Sequence, residues 1–231
     1  MSADTRTGLS RSRTNLALTA LFFGTFVMGT AELIVVGVLN LIAEDLGVSI
    51  GTAGSLVTSY ALGISVGGPV LTALTIRFAR KRLLQVSLAA YVLVNAMAVM
   101  ATGFGLLLVA RVLTGSLHGL FIGVAFAVGA GMVPPEKMGK AISFVFGGTA
   151  VSTALGVPIG TLIGQSRGWE ASFAAIVIAG VLTSALAVAV IPSVPNSGIG
   201  GFGAQARHAF APKVLALLGL GFLIMAASSP A

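Results

Sequence analysis

Three ionisable side chains lie deep in apolar sequence: Glu32, Arg111 and His118. A charged side chain in hydrocarbon costs roughly 2.5–3.5 kcal/mol on insertion scales, so each must face protein or a wet cavity. Arg111 and His118 are seven residues apart. That spacing puts them on one helix face, about 10 Å apart along the axis. Glu32 shares a face with Thr25 and Gly29. Two chemistries suit such a set. One is a static ion pair that locks two helices together. The other is a proton or cation site. Desolvation favours the neutral form of a carboxyl and a guanidinium beside it favours the charged form, so a change of surroundings between two conformations loads and releases a proton. His118 reads either as a packing histidine or as a member of that site. Tyr60 and Asn95 are polar candidates for contact with a substrate in the same cavity. No catalytic set accompanies these residues, and no enzyme activity is expected. There is no HExxH, and Gly139-Lys140 lacks both the upstream glycine and the following hydroxyl of a phosphate-binding loop. The two histidines, His118 and His208, are far apart, so no metal site is expected. The chain has no cysteine, which excludes disulfides, zinc-thiolate sites and a cysteine nucleophile.

The elements that must position these groups follow from composition. The chain has 231 residues, 56% hydrophobic and 8% charged, against about 25% charged in a soluble domain. It reads as an all-α polytopic membrane helix bundle, with the lipid bilayer as its solvent. A polar, basic tail over 1–15 precedes six spans within 16–191. These run about Leu16–Ile42, Thr52–Ile76, Leu83–Thr102, Leu106–Val133, Gly139–Gln165 and Ala171–Ile191. The first run is too long for the core of a signal peptide. A Pro/Gly/Ser-rich stretch over 192–211 reads as a cytoplasmic linker, and 212–231 as the start of a seventh, truncated span.

Charge orients the bundle. With the N-terminus inside, eleven of the 13 basic residues fall in inner segments (Arg6, Arg11, Arg13; Arg77, Arg80, Lys81, Arg82; Lys137, Lys140; Arg207, Lys213), and Arg167 alone falls outside. This positive-inside pattern predicts a multi-pass protein of the cytoplasmic (inner) membrane with a cytoplasmic N-terminus. The net charge of +7 does not point to nucleic acid, because the basic residues lie in short patches between apolar runs. Trp169, at the outer end of the sixth span, is expected at the interface.

Small residues recur every fourth position in three spans: Gly51 to Gly67, Gly115 to Gly131, and Gly148 to Gly164. They serve close helix packing, and three such stripes suit helices that slide or rock. Pro158 should kink the fifth span. From span directions, Glu32 falls between Arg111 and His118 in depth. If the first and fourth spans are neighbours, Glu32 meets either. A channel is disfavoured, since one acid and one arginine do not form a ring.

Three stretches carry a family resemblance. The first is Met28-Gly29-Thr30-Ala31-Glu32 through Ile42-Ala43-Glu44-Asp45-Leu46. The second is Arg111-Val112-Leu113-Thr114-Gly115 with His118-Gly119. The third is Gly156-Val157-Pro158-Ile159-Gly160 with Gly168-Trp169. Over about Leu16–Ile191 the chain resembles the N-terminal half of a major facilitator superfamily transporter, of the drug:proton antiporter group and its arabinose efflux or chloramphenicol resistance branch. The resemblance implies proton-coupled efflux of small drug-like or sugar-like molecules by alternating access, driven by the proton gradient without a bound cofactor. It implies that the first and fourth spans line the cavity. It makes Glu32 the protonatable or substrate-sensing acid and Arg111 the arginine linked to proton coupling. Gly156, Pro158 and Gly160 match a hinge and seal.

Arg77, Arg80, Lys81 and Arg82 match the basic part of the family's cytoplasmic loop signature. Ile76 stands where that signature has aspartate, so a charge latch built on it is lost. Family transporters run to about twice this length. The chain is therefore expected to be a fragment, a truncated frame, or a half that pairs with a missing C-terminal half. The alternative function is a non-transporting membrane module that associates with such a partner half.

Overall fold

The computed structural model describes residues 10–192. Six of its helices are long and apolar enough to cross a membrane: Arg11–Gly37, Ile50–Thr75, Arg80–Val99, Phe104–Gly131, Pro135–Arg167 and Trp169–Val190. They are called spans one to six below. The predicted tail before Arg11, and the linker and seventh run beyond 192, lie outside the described residues. Span one begins ahead of the predicted Leu16. Ser10 caps it, its Oγ accepting from the Arg13 amide at 3.4 Å, a standard way to satisfy a first-turn donor.

Spans one and four form the centre. Span one packs on spans two, four, five and six, and span three packs on spans four and six. Their buried side chains, including Leu21, Met28, Ile34, Leu56, Leu84 and Phe121, form one continuous apolar core. Spans two and five are the least buried. Leu74, Leu162 and Leu182 on the outer surface are 65–71% exposed, which suits contact with lipid tails.

The glycine stripes do different work in different places. A Cβ at Gly115 would collide with the main-chain oxygen of Tyr60, and one at Gly148 with that of Phe22. These positions let spans four and two, and spans five and one, approach backbone to backbone. By contrast, Gly123 has nothing within 4 Å of the place a Cβ would take, so the close approach along span four's stripe is made at its first members, Gly115 and Gly119. Beside Gly148, Thr25 Oγ1 donates to the Val145 oxygen at 2.5 Å, pinning span one to span five.

Three local features differ from the sequence expectation. The predicted first span breaks at Val38, whose backbone (φ −119°, ψ 14°) ends the helix, and a short helix Leu39–Asp45 follows. The irregularity in span five precedes Pro158 and takes the form of a π turn, Ser152–Gly156. Span two has a matching π turn, Gly63–Gly67, just before Pro69. The cause is shared. A proline lacks the amide that would bond the carbonyl four residues back, and its ring clashes with it. Those carbonyls belong to Ala154 and Ser65, each inside its π turn. Finally, Trp169 is 2% exposed and not at the surface. Its indole N–H donates to Asp45 Oδ2 at 3.0 Å and its ring meets Phe173 edge-on at 5.7 Å. Gly168 precedes it with φ +93°, a left-handed turn that places the indole inward.

Candidate functional site

Arg111 sits in the first half of span four and is 1% exposed. Its guanidinium crosses to span one. Nη1 donates to the Ala31 oxygen at 2.8 Å and Nη2 to the Glu32 main-chain oxygen at 2.9 Å. Nε donates to the Leu56 oxygen of span two at 3.5 Å. Each carbonyl has a second lone pair beyond its helical bond, so it can accept without breaking the helix. The guanidinium carbon lies 4.1 Å from the centroid of the Tyr60 ring, a cation–π distance. Of the two partners left open for the Glu32 side chain, Arg111 is not the one it takes. Among the described residues the two carboxylate oxygens form no ion pair with Arg111, and the contact runs through the Glu32 backbone.

The carboxylate turns instead to His118. Nδ1 of His118 lies 3.7 Å from Glu32 Oε2, with the histidine 1% and the glutamate 33% exposed. That separation is long for a hydrogen bond, so the two are poised but unjoined. Glu32 is the accessible member of the set, and Arg111 and His118 are sealed beneath it. Both face span one, Arg111 through the Ala31 and Glu32 main-chain oxygens and His118 through the Glu32 carboxylate.

Tyr60 of span two joins the two halves. Its hydroxyl lies 3.0 Å from His118 Nδ1, 3.2 Å from the Tyr91 hydroxyl, and 3.3 Å from the Met28 oxygen, to which it donates. Its ring meets the His118 ring at 5.8 Å and 64°. Tyr60 is 1% exposed and belongs to a buried network. Asn95 is also buried. Its amide donates to the Tyr91 main-chain oxygen one turn back at 2.8 Å, and its Oδ1 has no hydrogen-bond partner. It belongs to the interior of span three and does not line an opening.

Tyr91 of span three went unnoticed in the sequence. One signal was available: the chain has only two tyrosines, and they meet in this cluster.

Gly156 and Gly160 of span five pack against Thr30 and Ile34 of span one, about half a helical turn to either side of Glu32. Pro158 points outward between them. The loop residues Arg77 and Arg82 are exposed and Lys81 is half-buried. Arg80 Nη1 donates to the Ala127 oxygen at 3.5 Å. This basic loop joins the far ends of spans two and three and takes no part in the cluster. Among the described residues no group of three or more His, Asp or Glu side chains could hold a metal ion.

The Major Facilitator Superfamily pattern matches residues 21–230. The chain is 40% identical over 190 residues to an uncharacterized MFS-type transporter, YtbD, of Bacillus subtilis, covering 82% of this chain and 48% of that one. It is 33% identical over 205 residues to a chloramphenicol resistance protein of Streptomyces lividans, covering 87% and 52%. Among solved structures it is similar to a bacterial homologue of the lysosomal transporter Spinster, in an inward-facing conformation (TM-score 0.73, 16% identity, 87% of this chain and 50% of that one). It is also similar to the proton:xylose symporter XylE (TM-score 0.72, 16% identity, 91% and 52%). At that identity the likeness is one of fold. The chain spans about half the length of the curated relatives it matches. With six helices long and apolar enough to cross a membrane, a family pattern over residues 21–230 and a relative 40% identical over 82% of this chain, the chain belongs to the Major Facilitator Superfamily.

Proposed function

We propose that this chain supplies the proton-responsive half of an antiporter that exports small molecules across the cytoplasmic membrane, with its N-terminus inside. The observation that carries this reading is the asymmetry of the cluster. One carboxylate, Glu32, is a third exposed while its neighbours Arg111 and His118 are 1% exposed. Protons and substrate reach the first and not the others. Protonation removes a negative charge from beside His118, and the orientation that better holds the neutral acid gains population. A tenfold shift between orientations needs about 1.4 kcal/mol of differential proton affinity, a modest demand on a half-buried carboxyl. The chloramphenicol resistance relative supports drug-like amides as test substrates, and the sugar symporter fold supports pentoses.

The half-length match to relatives favours a second reading of how the activity is assembled. The cavity is completed by a second half, and the chain alone is a non-transporting module.

The test uses inside-out vesicles carrying the chain alone or co-expressed with the C-terminal half of a relative, with an imposed pH gradient. Chloramphenicol or arabinose uptake that dissipates the gradient, and that disappears in Glu32→Gln, is the expected result with the second half present. Gradient-driven uptake undiminished in Glu32→Gln would sink the proton role. Uptake by the chain alone would sink the assembly reading.

A further inference from the structure

Tyr60 carries one hydroxyl proton and sits among three partners: the Met28 oxygen, the Tyr91 hydroxyl and His118 Nδ1. The Met28 oxygen can only accept. If the Tyr60 proton goes there, its lone pairs accept from the Tyr91 hydroxyl and from an Nδ1–H of His118, and all three contacts are made. If the proton goes to Tyr91 or His118 instead, the Tyr60 and Met28 oxygens face each other with no proton between them.

The imidazole side gives the same answer. Nε2 of His118 is buried with no hydrogen-bond partner in either neutral tautomer, so the surroundings of Nδ1 decide. A protonated Nδ1 has one acceptor at hand, Tyr60 Oη at 3.0 Å, and faces the Glu32 carboxylate at 3.7 Å, a favourable charge contact beyond hydrogen-bond reach. A bare Nδ1 would set its lone pair against that of the carboxylate. The doubly protonated form would bury a second, unpaired N–H.

We propose that Tyr60 is a positioning residue that holds neutral His118 as its Nδ1–H tautomer, the proton lying between the Tyr60 hydroxyl and the Glu32 carboxylate. Tyr91 fills the second lone pair of Tyr60 and so fixes the rotation of that hydroxyl. The titratable groups around His118 are Glu32 from span one, Tyr60 from span two, Tyr91 behind it from span three, and Arg111 on its own helix. Those of span five, Glu136, Lys137, Lys140 and Arg167, are exposed. The consequence for coupling rests on the antiport reading: an ionised Glu32 draws the Nδ1–H to itself, and a neutral one returns it to Tyr60. The imidazole thereby reports the charge on span one to span two.

The experiment is nitrogen NMR on the full chain in bilayers, with ¹⁵N-labelled histidine and His208→Gln to leave one histidine. The expected spectrum has Nδ1 protonated and Nε2 bare. Glu32→Ala keeps that pattern. Adding Tyr60→Phe lowers the ratio of Nδ1–H to Nε2–H by about tenfold, the size of one buried hydrogen bond. A dominant Nε2–H form with Glu32 and Tyr60 both present, or loss of Nδ1–H on Glu32→Ala alone, overturns the assignment. Emission from Trp169, the single tryptophan, checks that each variant folds. Should the double variant misfold, the first two spectra still decide. The tautomer is read without transport, so failure of antiport and failure of this assignment are separate outcomes.

Discussion

Arg111 reaches the main-chain oxygen of Ala31 at 2.8 Å, a partner whose charge never changes. The same guanidinium takes the Glu32 backbone oxygen and leaves its carboxylate aside. The arginine thus ties span four to span one without using the carboxylate, which lies on the His118 side.

Arg111→Lys should therefore be disruptive although it keeps the charge. An ammonium cannot fork onto two successive carbonyls or stack flat on Tyr60. Losing two charge-assisted bonds of about 1.5–3 kcal/mol each, partly replaced by the lysine, predicts a net loss of about 2–4 kcal/mol. Thermal unfolding in detergent, followed through Trp169 emission, measures it. A lysine variant as stable as the parent would contradict the backbone grip.

Glu32→Gln should leave folding almost untouched, within about 0.5 kcal/mol, as for a change that breaks no named contact. The main-chain oxygen that Arg111 holds is still there. Were a Glu32–Arg111 side-chain pair the lock, the same substitution would strand a buried charge and cost about 3–5 kcal/mol. The unfolding midpoints of the two variants, run side by side, separate these cases.

The glycines of span four should part company. Gly115→Ala places a methyl against the Tyr60 backbone and should cost about 1–3 kcal/mol through overpacking. Gly123→Ala meets nothing within 4 Å and should be neutral or stabilising by up to about 1 kcal/mol, the helix-propensity difference. Equal effects in a melting comparison would mean that the two spans do not touch at Gly115.

Asp45→Ala should release the Trp169 indole. A red shift of its emission and a loss of about 1.5–3 kcal/mol, the value of a hydrogen bond to a charged acceptor, are expected. An unmoved emission maximum would show the indole held by packing on Phe173 alone.

Hydropathy made the six spans legible, because an apolar run of about 20 residues has few other uses. Depth counting brought Glu32, Arg111 and His118 together for a similar reason: few polar groups compete for the interior. What escaped was the identity of the partners. Main-chain carbonyls occur at every residue and leave no mark in a sequence, so nothing singled out Ala31, Glu32 and Leu56 as acceptors for Arg111. The break at Val38 follows Gly37, but that glycine is also a packing position, set against Thr161 of span five, so it did not stand out as a helix end. Pro69 stood in the same setting as Pro158, two residues past a π turn, yet a proline alone does not say whether the chain bends by a kink or by a wider turn. Tyr91 required knowing that its hydroxyl reaches that of Tyr60 at 3.2 Å from a span that packs mainly on spans four and six.

The grip of Arg111 on Ala31 and Glu32 has a mechanical meaning. A bond to a changeable carboxylate would be a clutch, released whenever a proton arrived. A bond to two fixed carbonyls is a weld. Spans one and four must tilt as a single strut at every stage of protonation, and whatever flexing the bundle performs is left to spans two and five, whose π turns lie along the sides of that strut.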